Sequence, residues 1–482
     1  MSNRTPISRR KMLSFSLAAG GLSLLPRAVL GGSSRLSPSD KLNIAFIGIG
    51  GYGGAALNNL TSENVVALCD VDWRSSAEIH DGQPAACDVA KKYPQAKRYD
   101  DWRILLEENH KAIDAVVVST ADHTHAVAAL TAMKMGKHVF CEKPLAHSVH
   151  EVRMMMKSAR KHHHLATHTG IQGHASEDVR SMVEWIRDGA IGTVQEVQVF
   201  QASGRRRPAG SEGGQAVRRP SLYAGIEHVN DTIAVPDTVK WDLWLGPAQF
   251  RNYNPMYLPL RWRNWLNFGT GILGDHGPHF VDPILWALDL GFPESIEAET
   301  DAEYDPGANH QTFPARSVVR YKFPARGSRG AIPLTWYGGG DGPPIPNGWN
   351  GDVEFPNGGG IVLGSKGAII YGPVYSSPPG SFKQVWLLPE ELDKSYTRPE
   401  KTLPRIGNHW MEWADAAKAG TQTSANWDYG GLLTQICLLG DIAIRLKGQS
   451  LAFDPKAEKF TNSSAANALF ETAPRPGWEL PV

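Results

Sequence analysis

The chain has 482 residues, enough for two domains that each bury a core of their own. Charged residues make up 20% and the formal net charge is zero, so no overall field invites nucleic acid or an anionic membrane surface. Four cysteines, Cys69, Cys87, Cys141 and Cys437, are too few and too scattered for a disulfide scaffold.

The first segment in chain order reads as a targeting signal. Ser8-Arg9-Arg10-Lys11-Met12-Leu13 leads into an apolar stretch from Met12 to Leu25, interrupted by Gly20 and Gly21. That run is too short for a comfortable membrane span, and no stable span is expected. Paired arginines before an apolar run match a twin-arginine export signal, so residues 1–38 are assigned to signal and linker and the protein to the periplasm or another exported location.

A dinucleotide-binding domain is expected over 39–165. Lys41–Ile47 reads as a buried strand running into Gly48-Ile49-Gly50-Gly51-Tyr52-Gly53. The spacing alone is weak, because with 49 glycines chance supplies roughly half a match per chain of this size. A second match does occur, at Gly269, Gly271 and Gly274, without a strand before it. The first match has the full unit: a helix over Ala55–Leu60 whose amides would face a pyrophosphate, then a strand Val65–Cys69 ending in Asp70. Asp70 sits near the roughly 20-residue offset at which a carboxylate meets the adenosine ribose, and it would repel a 2′-phosphate. NAD is therefore expected over NADP, with Arg74 the one feature that keeps NADP open.

The alternation continues with strands at Asp114–Ser119, Lys137–Cys141 and His164–Thr169, and helices at Thr124–Met135 and Val149–His162. This is a doubly wound α/β sheet, and ligands sit beyond the carboxyl ends of its strands. The expected cofactor contacts are Gly48, Gly50, Gly51, Tyr52, Gly53, Asp70, Thr120, Glu142 and Lys143, with His123 and His125 beside Thr120.

Glu142-Lys143-Pro144 after a strand, behind such a unit, resembles the signature of the Gfo/Idh/MocA oxidoreductase family. Ser119–His125 looks like that family's strand-end segment, with Ala121 where proline is common, and Gly269–Asp282 looks like its glycine-rich D-x-x-x-H motif. With Asn426-Trp427-Asp428-Tyr429 the likeness points to exported members. It implies that 166–482 is an α+β domain on a large open, mostly antiparallel sheet that handles substrate and supports a homo-oligomer. Thr193–Gln201, Ser317–Phe323, Ile332–Tyr337 and Gly360–Tyr371 read as its strands. The polar stretch Gly204–Pro236, with Arg205-Arg206-Arg207 and Arg218-Arg219, reads as a solvated loop, with a lid or anion-binding lip as the sharper alternative.

Taking a hydride from a carbinol carbon requires a base for the hydroxyl proton and a nicotinamide held close. Asp275 and His279 fall one turn apart at the start of a helix. His279 has an ordinary pKa suited to proton exchange near neutrality, and Asp275 could orient its ring or hold a substrate hydroxyl. The resemblance maps its catalytic Lys, Asp and His onto Lys143, Asp275 and His279; whether Lys143 or His279 is the base stays open. Gln172, His174, Trp262, Trp265 and His409 are candidate substrate contacts, since aromatic faces suit the C–H faces of sugars and amides and imidazoles suit their hydroxyls. His276, His279 and Asp282 could be drawn as a metal site, but the prolines at 278 and 283 disturb the geometry and hydride chemistry needs no metal, so none is expected. Asp282 is expected to make a structural hydrogen bond.

The sequence thus points to an NAD-dependent oxidoreductase acting on a secondary alcohol of a sugar, glycoside or cyclitol, with a tightly held cofactor. The alternatives are a closed cycle of oxidation, elimination and re-reduction that cleaves glycosides, or a non-catalytic carbohydrate-binding relative.

Overall fold

A computed structural model describes residues 40–79, 84–202, 231–307, 311–340, 342–349, 354–373 and 384–481. The expected export segment 1–38 lies outside these residues, and so does the Gly204–Pro236 stretch up to residue 230.

The first sheet is built from β1 (Asn43–Ile47), α1 (Tyr52–Asn59), β2 (Asn64–Cys69), β3 (Lys97–Tyr99), α2 (Trp102–Asn109), β4 (Ala115–Val118), α3 (Asp122–Lys134), β5 (His138–Cys141), α4 (Val149–Lys161) and β6 (Thr167–Thr169), numbering only helices of eight residues or more. Its order, β3-β2-β1-β4-β5-β6, with all pairs parallel, is that of a doubly wound dinucleotide-binding sheet. The central strand β4 reads Ala-Val-Val-Val and is buried along its length, as expected for a strand covered by helices on both faces. β6 pairs with β5, so the sheet continues past residue 165. Local signals set the helix starts: Asp101 caps α2, and Ser148 with Glu151 forms a reciprocal capping box on α4.

The second sheet takes in β7 (Val194–Gln201), β8 (Ser295–Thr300), β9 (Ser317–Phe323), β10 (Ile332–Gly338), β11 (Gly358–Gly364), β12 (Ala368–Tyr371), β13 (Val385–Leu388), β14 (Leu451–Asp454) and β15 (Lys459–Phe460). The order is β13-β12-β11-β7-β10-β9-β8-β14-β15, antiparallel except where β10 runs parallel to β7 with Trp336 opposite Val199. The run expected as one strand, Gly360–Tyr371, is a hairpin, because Ser365–Gly367 turns the chain so that Leu363 pairs with Ala368.

Among the described residues, this half has four helices of eight residues or more: α5 (Glu177–Asp188), α6 (Gly271–Leu288), α7 (His409–Ala419) and α8 (Trp427–Arg445). α6 packs between α5 and α8 and against β7 and β11, with Phe280 and Ile284 fully buried. Three ties fasten the segment leading into α6 to the start of α3 and to the loop before α4. The His123 amide donates to the Phe268 carbonyl, the His147 ring meets the Gly269 carbonyl at 3.2 Å, and the Thr270 hydroxyl donates to Asp122 Oδ2 at 2.8 Å. These ties bring the first turns of α6 to the carboxyl ends of β4 and β5.

Candidate active site

The chain leaves β1 and turns at Gly48, whose φ of 79° lies in the left-handed region. A Cβ there would stand 2.5 Å from the Ser119 carbonyl oxygen, so only glycine lets the β1 turn touch the end of β4. α1 begins after Gly51 with no side-chain cap, and Gly48, Gly50, Gly51 and Tyr52 line a cavity of about 300 Å³. Gly53 is buried beneath the loop. An uncapped helix end behind a glycine turn suits a pyrophosphate, and this donor set fits a dinucleotide.

Asp70 lines the same cavity but holds a more structural post than its sequence position implied. Oδ2 accepts from the Ile49 and Gly50 amides at 2.8 and 3.0 Å, and Oδ1 accepts from the Val71 and Asp72 amides at 2.8 and 3.1 Å. Burial raises its pKa against the pull of these amides. The carboxylate therefore fixes the glycine loop from the position at which a ribose would pass. Arg74 is clamped on both oxygens of Asp72, at 2.8 and 2.5 Å, so the cation that kept NADP open is already neutralised by an acid.

At the far end of the cavity stand Lys143, Asp275 and His279, from the end of β5 and the first turns of α6. Lys143 Nζ donates to Asp275 Oδ1 at 2.5 Å and to the Asp275 carbonyl at 2.8 Å. Arg263 Nε lies 3.3 Å and His276 Nε2 3.7 Å from Asp275 Oδ2. Burial would raise the Asp275 pKa, but the charges of Lys143, Arg263 and His276 outweigh it and hold the carboxyl well below the ordinary range. His279 is 4% exposed, and desolvation, reinforced by the Lys143 and His276 charges, holds its pKa well below the ordinary value. It is a neutral imidazole at neutral pH.

Two further carboxyls line this end. Burial together with the Asp275 charge pushes Asp122 up to about 7, and burial, opposed by Lys143, raises Glu142 to about 7. Thr120 lines the cavity between the loop and these groups.

Several expected contacts lie elsewhere. His123 and His125 are struts: the ring nitrogens of His123 meet the carbonyls of Phe268 and Trp244, and those of His125 meet the carbonyls of Pro144 and Thr120. Backbone carbonyls thus meet both nitrogens of each ring, and neither residue lines the cavity. Gln172 is not a cavity-lining residue; it donates to the Tyr52 hydroxyl at 3.0 Å and acts from behind it. His174 is core: its Nδ1 lies 2.8 Å from Asp282 Oδ1, which also accepts from the Tyr429 hydroxyl at 2.6 Å, and its ring stacks on Trp286 with centroids 4.0 Å apart. Asp282 is thereby a structural acceptor. Trp265, 1% exposed, packs edge-on against Tyr257 behind the wall that Trp262 presents. His409, 3% exposed, packs against Trp410 and Phe140. Among the described residues no group of three or more His, Cys, Asp or Glu side chains is arranged to hold a metal, and no helix is long and apolar enough to cross a membrane.

Arg263 and Asp122 are site residues without a sequence signal of their own, and His276 stands out in the sequence only as a possible metal ligand. Arg263 sits in a Trp-Arg-Asn-Trp stretch that reads as core, while Asp122 lies within the Ser119–His125 segment, where nothing marks it out.

Residues 42–169 match the family model described as an oxidoreductase family, NAD-binding Rossmann fold, and 219–322 match its C-terminal alpha/beta domain. The chain is 31% identical over 125 residues to the inositol 2-dehydrogenase of Salmonella paratyphi B, covering 25% of this chain and 34% of that protein. It is 33% identical over 144 residues to a glycosyl hydrolase family 109 protein of Stenotrophomonas maltophilia, covering 28% of this chain and 29% of that one. The chain thus spans about a third of the length of these relatives. In fold it resembles the myo-inositol 2-dehydrogenase of Lactobacillus plantarum, with a TM-score of 0.53 at 16% identity over 86% of this chain and 100% of that one. Two matched domain models thus place residues 42–169 and 219–322 in the Gfo/Idh/MocA oxidoreductase family, the first of them as that family's NAD-binding Rossmann fold.

Proposed function

We propose that the protein is an NAD-dependent oxidoreductase acting on a secondary alcohol of a sugar, glycoside or cyclitol. The observation that carries this is the single cavity shared by the glycine loop and the Lys143, Asp275 and His279 cluster. NAD, when bound, supplies the hydride acceptor for the carbinol carbon. Neutral His279 donates its ring N–H to the substrate oxygen and so aims it. Lys143, as the free amine, takes the hydroxyl proton as the carbonyl forms, and as ammonium it stabilises that oxygen in the reverse direction. Asp275 stays ionised throughout and returns Lys143 to one place. Trp262 offers an aromatic face to the C–H side of a ring.

A closed cycle that cleaves glycosides is the second reading. Elimination beside a new carbonyl needs a base for the adjacent C–H and an acid for the departing alkoxide. Asp122 and Glu142, both raised to about 7 and both at the cavity wall, supply two half-protonated carboxyls. The name of the glycosyl hydrolase family 109 relative supports the same reading. A carbohydrate-binding role without turnover is the third outcome of the test.

The test is to load the protein with NAD, add a panel of sugars, cyclitols and glycosides, and follow reduced-nicotinamide absorbance and product together. Lasting reduction supports the dehydrogenase, product without lasting reduction supports the cycle, and binding with neither supports the third role. We further propose twin-arginine export of the folded, cofactor-loaded protein and assembly as a homo-oligomer. The first would be refuted by export that persists when Arg9 and Arg10 are both replaced by Lys, and the second by a monomeric mass in light scattering.

A further inference from the structure

The second glycine motif has no strand before it, and its first glycine has another use. A Cβ on Gly269 would stand 2.4 Å from the Arg263 carbonyl oxygen and 2.5 Å from the Arg263 Cα. The backbone of Arg263 is seated where that side chain would be. Its guanidinium carbon lies 4.4 Å from the Trp262 ring centre, and its Nε reaches Asp275 Oδ2 at 3.3 Å. Seat and stack together hold a planar, permanently charged group in one place. The Asp275 carboxylate is therefore shared, with Oδ1 on Lys143 and Oδ2 on Arg263.

We propose that Arg263 is a positioning residue that keeps Asp275 ionised while Lys143 passes between ammonium and amine. The inference rests on the reading that Lys143 exchanges the proton of the reaction. When Lys143 gives up its proton, the buried Asp275 loses a close cation, and burial favours its taking up a proton. A guanidinium cannot deprotonate, so Arg263 holds the carboxylate charged through that half of the cycle. The other titratable groups facing this pair are Asp122 at the start of α3, Glu142 beside β5, and His276 and His279 on α6. Of the cations around Asp275, Arg263 alone keeps its charge at every working pH.

The test needs no substrate. In the NAD-loaded protein, the pH dependence of Lys143 acylation by acetic anhydride is read by mass spectrometry. Arg263→Gln should move the midpoint upward by about one pH unit, roughly a tenfold loss of labelling rate on the rising limb, because losing a nearby cation favours the ammonium. Arg263→Lys keeps the charge and should stay close to the wild-type midpoint. The same split should appear in the acid limb of kcat/KM for any alcohol the protein oxidises. An unchanged midpoint in Arg263→Gln overturns the proposal, as does an equal shift in Arg263→Lys. A wild-type protein that holds NAD but oxidises no alcohol overturns the oxidoreductase reading instead, and the labelling profiles still decide the role of Arg263.

Discussion

Lys143 meets Asp275 twice, through the carboxylate at 2.5 Å and through the backbone carbonyl at 2.8 Å, across a sequence separation of 132 residues. One residue lies two positions beyond strand β5 of the Rossmann sheet, and the other lies on helix α6 of the second domain. The two domains are thus joined at the atoms proposed to handle the proton.

Lys143→Ala removes that junction without touching the glycine loop. Isothermal titration should show NAD affinity within about threefold of wild type, and hydride transfer should fall by at least the 10²–10⁴ typical of a lost general base. Measurable single-turnover reduction close to the wild-type rate would remove Lys143 from its role.

His279→Ala should lower kcat by about 10²-fold while leaving NAD binding in place, since the imidazole faces the substrate end of the cavity. Because burial and neighbouring charge keep His279 neutral, no rate transition in the wild type near pH 6.5 should vanish in this variant. Loss of such a transition would show that the ring titrates.

Asp122 gives a stability signature. Its native pKa of about 7 lies above the ordinary value near 4, so its contribution is present at low pH and lost as pH rises between those two values. Thermal denaturation of the cofactor-free protein at pH 5 and pH 8 should show the wild type losing stability relative to Asp122→Asn as the pH rises, by at most about 3 kcal/mol from this one group. A difference between the two proteins that does not change with pH would contradict the assignment.

His174→Ala tests the placement of that ring in the core. Removing it leaves the buried Asp282 with one hydrogen-bonding partner fewer and opens a gap beside Trp286. Chemical denaturation should register a loss of about 2–4 kcal/mol with KM for any substrate unchanged. A raised KM at full stability would return His174 to the substrate site.

The parts legible in the sequence were those whose signal is local. A strand, a glycine turn and a carboxylate at a fixed offset belong to one βαβ unit, so Gly48 and Asp70 stand out together. Asp275 and His279 share one helix face. Their convergence on Lys143 depends on the ties from Phe268, Gly269 and Thr270, which no pattern announces. His174, Trp265 and His409 went astray because residue type does not say which way a side chain points. The edge strands β13 and β15, and β14 beside the latter, are too short to show an alternation. Arg263 was hidden for a different reason: its seat on Gly269 and its reach to Asp275 are both contacts between separate segments.

The most direct measurement is rapid mixing of the NAD-loaded protein with a panel of cyclitols and sugars while reduced-nicotinamide absorbance is followed, wild type beside Lys143→Ala. The wild type should show a rise with at least one secondary alcohol, and the variant none. No rise in either, with NAD demonstrably bound, would contradict it.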